Sequence, residues 1–533
     1  MLFKLIKIRM TRLFYSMGNS GKKKGLKNKS NASAVVAYAC LSILAVWFFV
    51  QMLVIYGIMY PMLENAGAKD FYFLLSMVLA LTVAFIFNVF GAYNQLFSSN
   101  DNEMLFSLPI KPITVLLSRV ISMWIMHISI VAVFMLPSEC VHIYMSGFNA
   151  WQFISFLISM IMVSLVSLTV ATLIGWIIGV LTKNFRHKNI LIILLSLAGV
   201  ALYFAAITMS DDGYKQLFEQ FASMAVEMAN AGKGILILGL CASAAAGDPL
   251  GLLTLIGIGV IPFALTMLIV SKSFVKIALW KPSGKLKKFS GDYKGRSIDK
   301  TLLSRELSHF ASSPAYIINC SFGAFSAVAA AVLTIINYDS AAEFISQVGQ
   351  LGEMIIAVVL CFLASLNSLS AASISIEGKK YLWQLKCLPI DPRKILKSKL
   401  MLHIVISAPI SLIVSLAAVM VFRPSVLSAI AFFVLPLGFM VISAQLGLII
   451  NLRFPNLDWI SETQAVKQGV SLILSLLAEL ATVAVFAVIT VLFTVIGLDP
   501  RAALILLAVP MALMIWLLQK LTNKKGAEMF SAL

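Results

Sequence analysis

Runs of apolar residues about 20 long recur along this chain, and they restrict it to very few folds, because a segment of that length crosses the hydrocarbon of a bilayer as a helix. Twelve runs are legible, at approximately 34–60, 71–97, 113–136, 152–181, 189–209, 250–271, 315–337, 351–374, 399–422, 426–450, 470–496 and 501–519. Inside hydrocarbon every backbone polar group has to be satisfied within its own segment, so the expected class is an all-α polytopic membrane protein. Composition excludes the alternative. With 60% hydrophobic and only 12% charged residues in 533, too few polar side chains exist to cover a water-soluble globule of this size.

An even number of spans places both termini on one side, and charge tests the count. Of 41 Lys and Arg, 36 fall on the side of the termini, counting those at span ends; the other side has five, against twelve Asp and Glu. Such a bias marks the cytoplasmic side. The net charge of +18 would suggest nucleic acid in a soluble chain. Here the basic residues sit in short segments between apolar runs, where they set orientation and meet anionic lipid, so nucleic-acid binding is excluded.

These features divide the chain as follows. Residues 1–33 form a basic tail whose Leu2, Leu5, Ile6, Leu13 and Phe14 share one helical face, expected to lie on the cytoplasmic membrane surface. Residues 34–271 make a first six-span unit. Within it, 211–249 reads as an external cap: an amphipathic helix over Tyr214–Asn230, then a short apolar run, Ile235–Ala246, of re-entrant or interfacial length. Residues 272–314 are a basic cytoplasmic linker ending in a surface helix, 315–519 a second six-span unit, and 520–533 a cytoplasmic tail.

The two units share a motif. Leu105–Arg119 (LFSLPIKPITVLLSR) aligns with Leu385–Lys399 (LKCLPIDPRKILKSK), 280 residues later, with seven identities in fifteen positions. Pro109 and Pro389 push the preceding leucine out of the helical region, whereas Pro112 and Pro392 suit the first position of a following helix. Each copy is therefore a short helix, a stiff LPIxP elbow and a spanning helix. In the second copy Tyr381, Trp383, Leu385 and Leu388 alternate with Lys379, Lys380 and Lys386, the composition of a helix lying at headgroup level. An ordinary basic loop is the plainer reading, but it gives no reason for two prolines and their leucines to stay in register across both units.

Chemistry-bearing clusters are absent from the sequence. The six cysteines and five histidines are dispersed, without CxxC or HExxH spacing, so no disulfide framework or metal site is indicated. A phosphate-cradling loop needs GxxxxGK[ST] after a strand. GNSGKKKG at 18–25 and SGDYKGRS at 290–297 have the wrong spacing, so any ATP is handled by another chain. Glu479 is the one carboxylate placed well inside a run. At about 2.5–3.5 kcal/mol for an acid at mid-span it is a candidate for the translocation path, with a protonated, packing-only Glu as the equal alternative. Gln445 and Asn88 suit interhelical hydrogen bonds, and Gly175-xxx-Gly179 a close helix crossing.

Three further strings, SRELSHFASSPAYIIN at 304–319, WQLKCLPIDP at 383–392 and LRFPNLDWISETQAVKQ at 452–468, combine with the order of surface helix, spans, elbow and spans. Together they resemble the large duplicated permease subunits of bacterial ATP-binding-cassette (ABC) exporters, within the type-2 permease superfamily. The first unit is the weaker match, reading TKNFRHKN where the second reads NLRFPNLDW. The resemblance implies that both units enclose a translocation path in the bacterial plasma membrane and that the chain is not itself an enzyme. It also implies that helices after the second span of each unit dock on two copies of a separate ATPase. Carried over residue by residue, the coupling positions are Glu103, Leu108, Pro109, Ile110 and Pro112, with Trp383, Leu388, Pro389, Ile390 and Pro392. ATP would enter through the partner, with no cofactor in this chain. A secondary transporter with two six-span halves is the competing reading. It is disfavoured by the lack of a Gly-Asp-Arg-Gly motif after the second span and by the scarcity of mid-membrane charge. A membrane enzyme or assembly scaffold has no paired carboxylate, nucleophile or metal set to support it.

Overall fold

The computed structural model describes residues 1–18, 29–65, 70–182, 236–279, 297–338 and 350–533, a few isolated positions within these ranges excepted. Every regular element among them is helical. Among the described residues, eight helical stretches are long and apolar enough to cross a membrane: Pro112–Ser146, Ala150–Val180, Pro249–Ala278, Gly352–Glu377, Pro392–Phe422, Val426–Arg453, Glu462–Val495 and Pro500–Ala532. Shorter apolar helical stretches, Ala45–Pro61, Tyr72–Phe85 and Gly323–Ile336, fall on the first, second and seventh expected runs. The fifth run (189–209), the cap helix (214–230), the loop 183–188, the side chain of Asn88 and the linker over 280–296 lie outside the described residues. The chain is thus a polytopic helical membrane protein. It divides into two compact units, one of Met1–Arg12, Ala39–Lys188 and Tyr214–Ser283, the other of Leu13–Tyr38, Asn189–Gly213 and Gly284–Leu533.

The first unit contains α1 (Leu2–Gly18) as far as Arg12, α2 (Lys29–Asn65) from Ala39 onward, α3 (Asp70–Leu96), α4 (Asn102–Ser107), α5 (Pro112–Ser146), α6 (Ala150–Thr182), α7 (Leu236–Ala246) and α8 (Pro249–Ala278). Helix α6 packs on α3, α5 and α8, with the short α7 set among α3, α6 and α8. Gly175 and Gly179 allow that packing: a Cβ on Gly175 would lie 3.1 Å from Ala92 Cβ and Tyr93 N, and one on Gly179 would lie 3.0 Å from Ile277 Cγ2. One core is aromatic, with Tyr60 and Tyr72 edge to face at 4.9 Å and the Tyr72 hydroxyl donating to the Ser138 carbonyl at 2.9 Å. Asp248 begins α8 by accepting from the Leu250 and Gly251 amides. Those bonds, led by Gly251 and joined by Ser243, hold its carboxyl below the usual carboxylate range. The other core gathers Leu96, Leu105, Val115, Leu116 and Phe274 at the α4 end of the unit.

The second unit runs α9 (Ile298–Ser312), α10 (Pro314–Cys320), α11 (Phe322–Ile336), α12 (Gln350–Ser365), α13 (Leu369–Ala372), a 3₁₀ turn at Ser375–Glu377, α14 (Gly378–Cys387), α15 (Pro392–Phe422), α16 (Val426–Arg453), α17 (Glu462–Val466), α18 (Val470–Val495), α19 (Pro500–Leu506), α20 (Ala508–Leu521), a π turn at Thr522–Gly526, and α21 (Ala527–Ala532). Helix α16 is its hub, touching α12, α15, α18, α19 and α20. The eighth run is broken rather than straight. Between α12 and α13, Asn367 is buried and its Nδ2 donates to Ser407 Oγ at 3.0 Å, and the Ser368 amide donates to the Cys320 carbonyl at 3.1 Å, which gives a partner to one backbone group that the break frees. Helix α15 starts at Pro392, the position that the second proline of the elbow suits, and so begins before the apolar run at 399–422, which marks only the part that meets lipid. Residues 522–532 continue as helix and insert Phe530 into the core formed by Leu302, Leu382, Leu385 and Leu396, so this segment is docked and not a loose tail.

Candidate functional site

Both elbows have the backbone their prolines dictate. Leu108 and Leu388 end their short helices in extended conformation, at φ −83°, ψ 152° and φ −74°, ψ 137°. The amide of Ile110 then bonds the Leu108 carbonyl at 2.7 Å, and that of Ile390 the Leu388 carbonyl at 2.8 Å, a three-residue turn closed over the proline. Lys111 and Asp391 are again extended, and Pro112 and Pro392 open the next helix.

Side chains sort the same way on both elbows. Leu105 and Leu385 point into their cores, as do Leu116 and Leu396, while Pro109 and Pro389 are exposed. Leu108 is 45% exposed and Leu388 44%. Glu103 and Met104 on α4, and Tyr381 and Trp383 on α14, extend the exposed surface. Ile110 and Ile390 are half-buried and pack against the cores of their own units. The apolar groups that the elbows offer outward are therefore the leucines, Met104 and Trp383, more than the isoleucines.

Each elbow is anchored by a buried cation at the end of its motif. In the second unit Lys399 is fully buried, and its ammonium donates to Glu377 Oε1 at 2.7 Å, Glu306 Oε2 at 3.0 Å and the Ser373 carbonyl at 3.0 Å, so all three protons are used. Glu377 stands immediately before α14. Arg305 of α9 clasps its two oxygens at 2.9 and 2.8 Å and reaches Glu306 at 2.7 Å. Burial works against the Arg305 charge, but Glu377 and Glu306 outweigh it and hold its pKa above the usual value. Two cations and two anions thus close on one another, the condition under which a buried ion cluster is tolerated.

In the first unit Arg119, the position aligned with Lys399, is equally buried. It donates to the Leu96 carbonyl, to Asp101 Oδ1 at 3.0 Å and to Asn102 Oδ1 at 2.5 Å, and lies 5.5 Å from the Phe274 ring centre. Asp101, immediately before α4, also receives Arg9 of α1 at 2.9 Å. Asn102 donates to the carbonyls of Phe97 and Ala278, which ties the end of α8 to the same point. The plan is shared: an acid at the start of the short helix, a buried base on the following span, and an arginine from a surface helix.

The second unit adds a brace. Asn451 Oδ1 accepts from the amides of Ile374 and Ser375, Trp459 Nε1 donates to the Ser375 carbonyl at 2.7 Å, and Ser313 Oγ donates to Glu462 at 2.6 Å. Gly378 starts α14 at φ +60°, where a Cβ would stand 3.3 Å from Trp459 Nε1. The strings at 304–319 and 452–468, far apart in sequence, therefore meet around Ser375–Gly378.

Glu479 lies apart from this end of the unit. Its carboxylate is buried and accepts from Ser443 Oγ of α16 at 2.7 Å, an interhelical bond of the kind a packing role requires. Gln445 likewise donates to Gln519 at 2.9 Å. Sequence reasoning missed Arg305, Glu306 and Glu377 as one cluster. The available signal was the motif's last aligned pair, Arg119 and Lys399, where charge is kept though identity is not. No family model, curated protein or solved structure matches this chain.

Proposed function

We propose that this chain is the membrane-spanning permease subunit of an ABC-type exporter, built from two related halves that form the translocation path, each docking one copy of a separate ATPase. The observation that supports this best is the pairing, in each unit, of an exposed apolar elbow with a buried ionic anchor. A soluble motor can move a span only through a surface it can grip and that does not yield. Leu108, Pro109, Leu388, Pro389 and Trp383 supply the grip. The anchors join each elbow to its span and to a surface helix, so a push on the elbow reaches the span. A transporter driven by ion gradients needs no such handle. On this reading both termini and the elbows are cytoplasmic, and ATP is bound only by the partner.

The test is co-purification of a cassette ATPase from cell membranes with the wild-type chain, compared with Leu108→Asp combined with Leu388→Asp. Both leucines are half-exposed, so the changes empty no core and insertion should persist. If these contacts are interface hot spots, each loss is about 2 kcal/mol or more, and association should fall at least about 30-fold. Wild-type recovery of the ATPase together with unchanged transport would refute the coupling role and favour the secondary transporter.

A further inference from the structure

At the basic end of the second unit, one face of α15 looks across a groove of about 480 Å³ toward α20, with α16 as its floor. The lining changes character along its length. Arg393, Lys394 and Lys397 stand at the mouth, and Leu400, Met401, Ile404 and Val441 continue inward. A row of amides crosses between them: Gln445 Nε2 donates to Gln519 Oε1 at 2.9 Å, and Gln519 Nε2 to Asn523 Oδ1 at 3.1 Å. Gln445 is only 2% exposed, and its remaining amide atom, Oε1, has no partner. Reversing all three amides preserves the row and leaves a donor there instead, so the buried end of the row needs one more polar atom in either sense.

We propose that this groove binds one anionic phospholipid of the surrounding leaflet, its phosphate at Arg393, Lys394 and Lys397, a headgroup or ester oxygen at Gln445, and an acyl chain along Leu400, Met401 and Ile404. Among the described residues, the acids beside the three cations at the mouth are Asp299, 3.9 Å from Lys397 Nζ, and Asp391, whose Oδ1 is engaged by the Arg393 amide. A basic pocket between spanning helices, opening into apolar walls, matches an amphiphile with a negative head and nothing smaller. The level is right for it. One turn along α20, Trp516 is exposed with Lys520 Nζ 4.1 Å from its ring centre, the aromatic and cation pair that marks headgroup depth. The inference requires only that the chain spans a membrane, and it is independent of any ATPase.

Native mass spectrometry of the purified full chain, titrated with phosphatidylglycerol or phosphatidylcholine, tests it. The wild type should retain one phosphatidylglycerol with at least tenfold preference. Arg393→Ala with Lys397→Ala should abolish that preference, Met401→Trp should displace the lipid by filling its chain path while leaving every charge in place, and Lys520→Ala should change nothing. The wild-type preference needs no variant, so misfolding of a variant leaves the test intact. Equal retention of both lipids, an equal loss with Lys520→Ala, or a tightly held amphiphile that is not a phospholipid would each overturn the proposal.

Discussion

Lys399 shows how much a single buried charge commits its surroundings. Its ammonium holds two carboxylates that have no solvent to turn to, so Lys399→Met should leave Glu306 and Glu377 with Arg305 as their one shared cation and cost about 3–5 kcal/mol. Adding Glu377→Gln to Lys399→Met removes one of the stranded charges and should recover part of that loss. Thermal unfolding of the purified single and double variants measures it, and additive losses would mean that the two side chains do not act as a pair. Such residues were hard to recognise in the sequence. Arg305 and Glu377 are 72 positions apart and Glu306 and Lys399 are 93 apart, and each alone reads as an ordinary charge at the edge of an apolar run. Glu479 drew notice because its neighbours are apolar, yet the cluster at the end of the runs holds more buried charge.

At the scale of the element, the elbow was legible because proline acts on its immediate neighbours: the restriction of Leu388 and the helix start at Pro392 need no tertiary help. Pro389→Ala with Pro392→Ala should therefore keep the spans and the Lys399 cluster but loosen the link between α14 and α15. On the proposed function, ATPase binding through Trp383 and Leu388 should persist while stimulation of hydrolysis by substrate is lost. An ATPase assay on the reconstituted complex decides this, and full stimulation would show that elbow stiffness is not what transmits the motion. The orientation of Ile110 and Ile390 was not legible. The motif reads as exposed throughout, whereas the residue whose amide closes the turn is carried partly back onto its own unit.

For the whole molecule, orientation rests on the distribution of lysine and arginine, which sets topology during insertion. Ser107→Cys on the elbow side and Phe148→Cys in the turn between α5 and α6, each in a cysteine-free background, should differ toward an impermeant thiol reagent on intact cells. Position 148 should react and position 107 should not; the reverse pattern would invert the topology and remove the elbows from any cytoplasmic motor. The break in the eighth run between α12 and α13 belongs to this scale too. Its residues are apolar enough to read as one span, and the bonds of the Asn367 side chain and the Ser368 amide to neighbouring helices, which tertiary packing supplies, lie at the interruption.

The sequence by itself determined what depends on short range: long apolar runs become helices because lipid offers their backbones no other partner, and prolines at set positions make elbows wherever they occur. Tertiary structure alone decided which charges meet. The energy of a buried ion depends on what the fold brings within about 3 Å of it, and Arg305 and Glu306, Glu377, and Lys399 come from three segments that only the packed unit assembles.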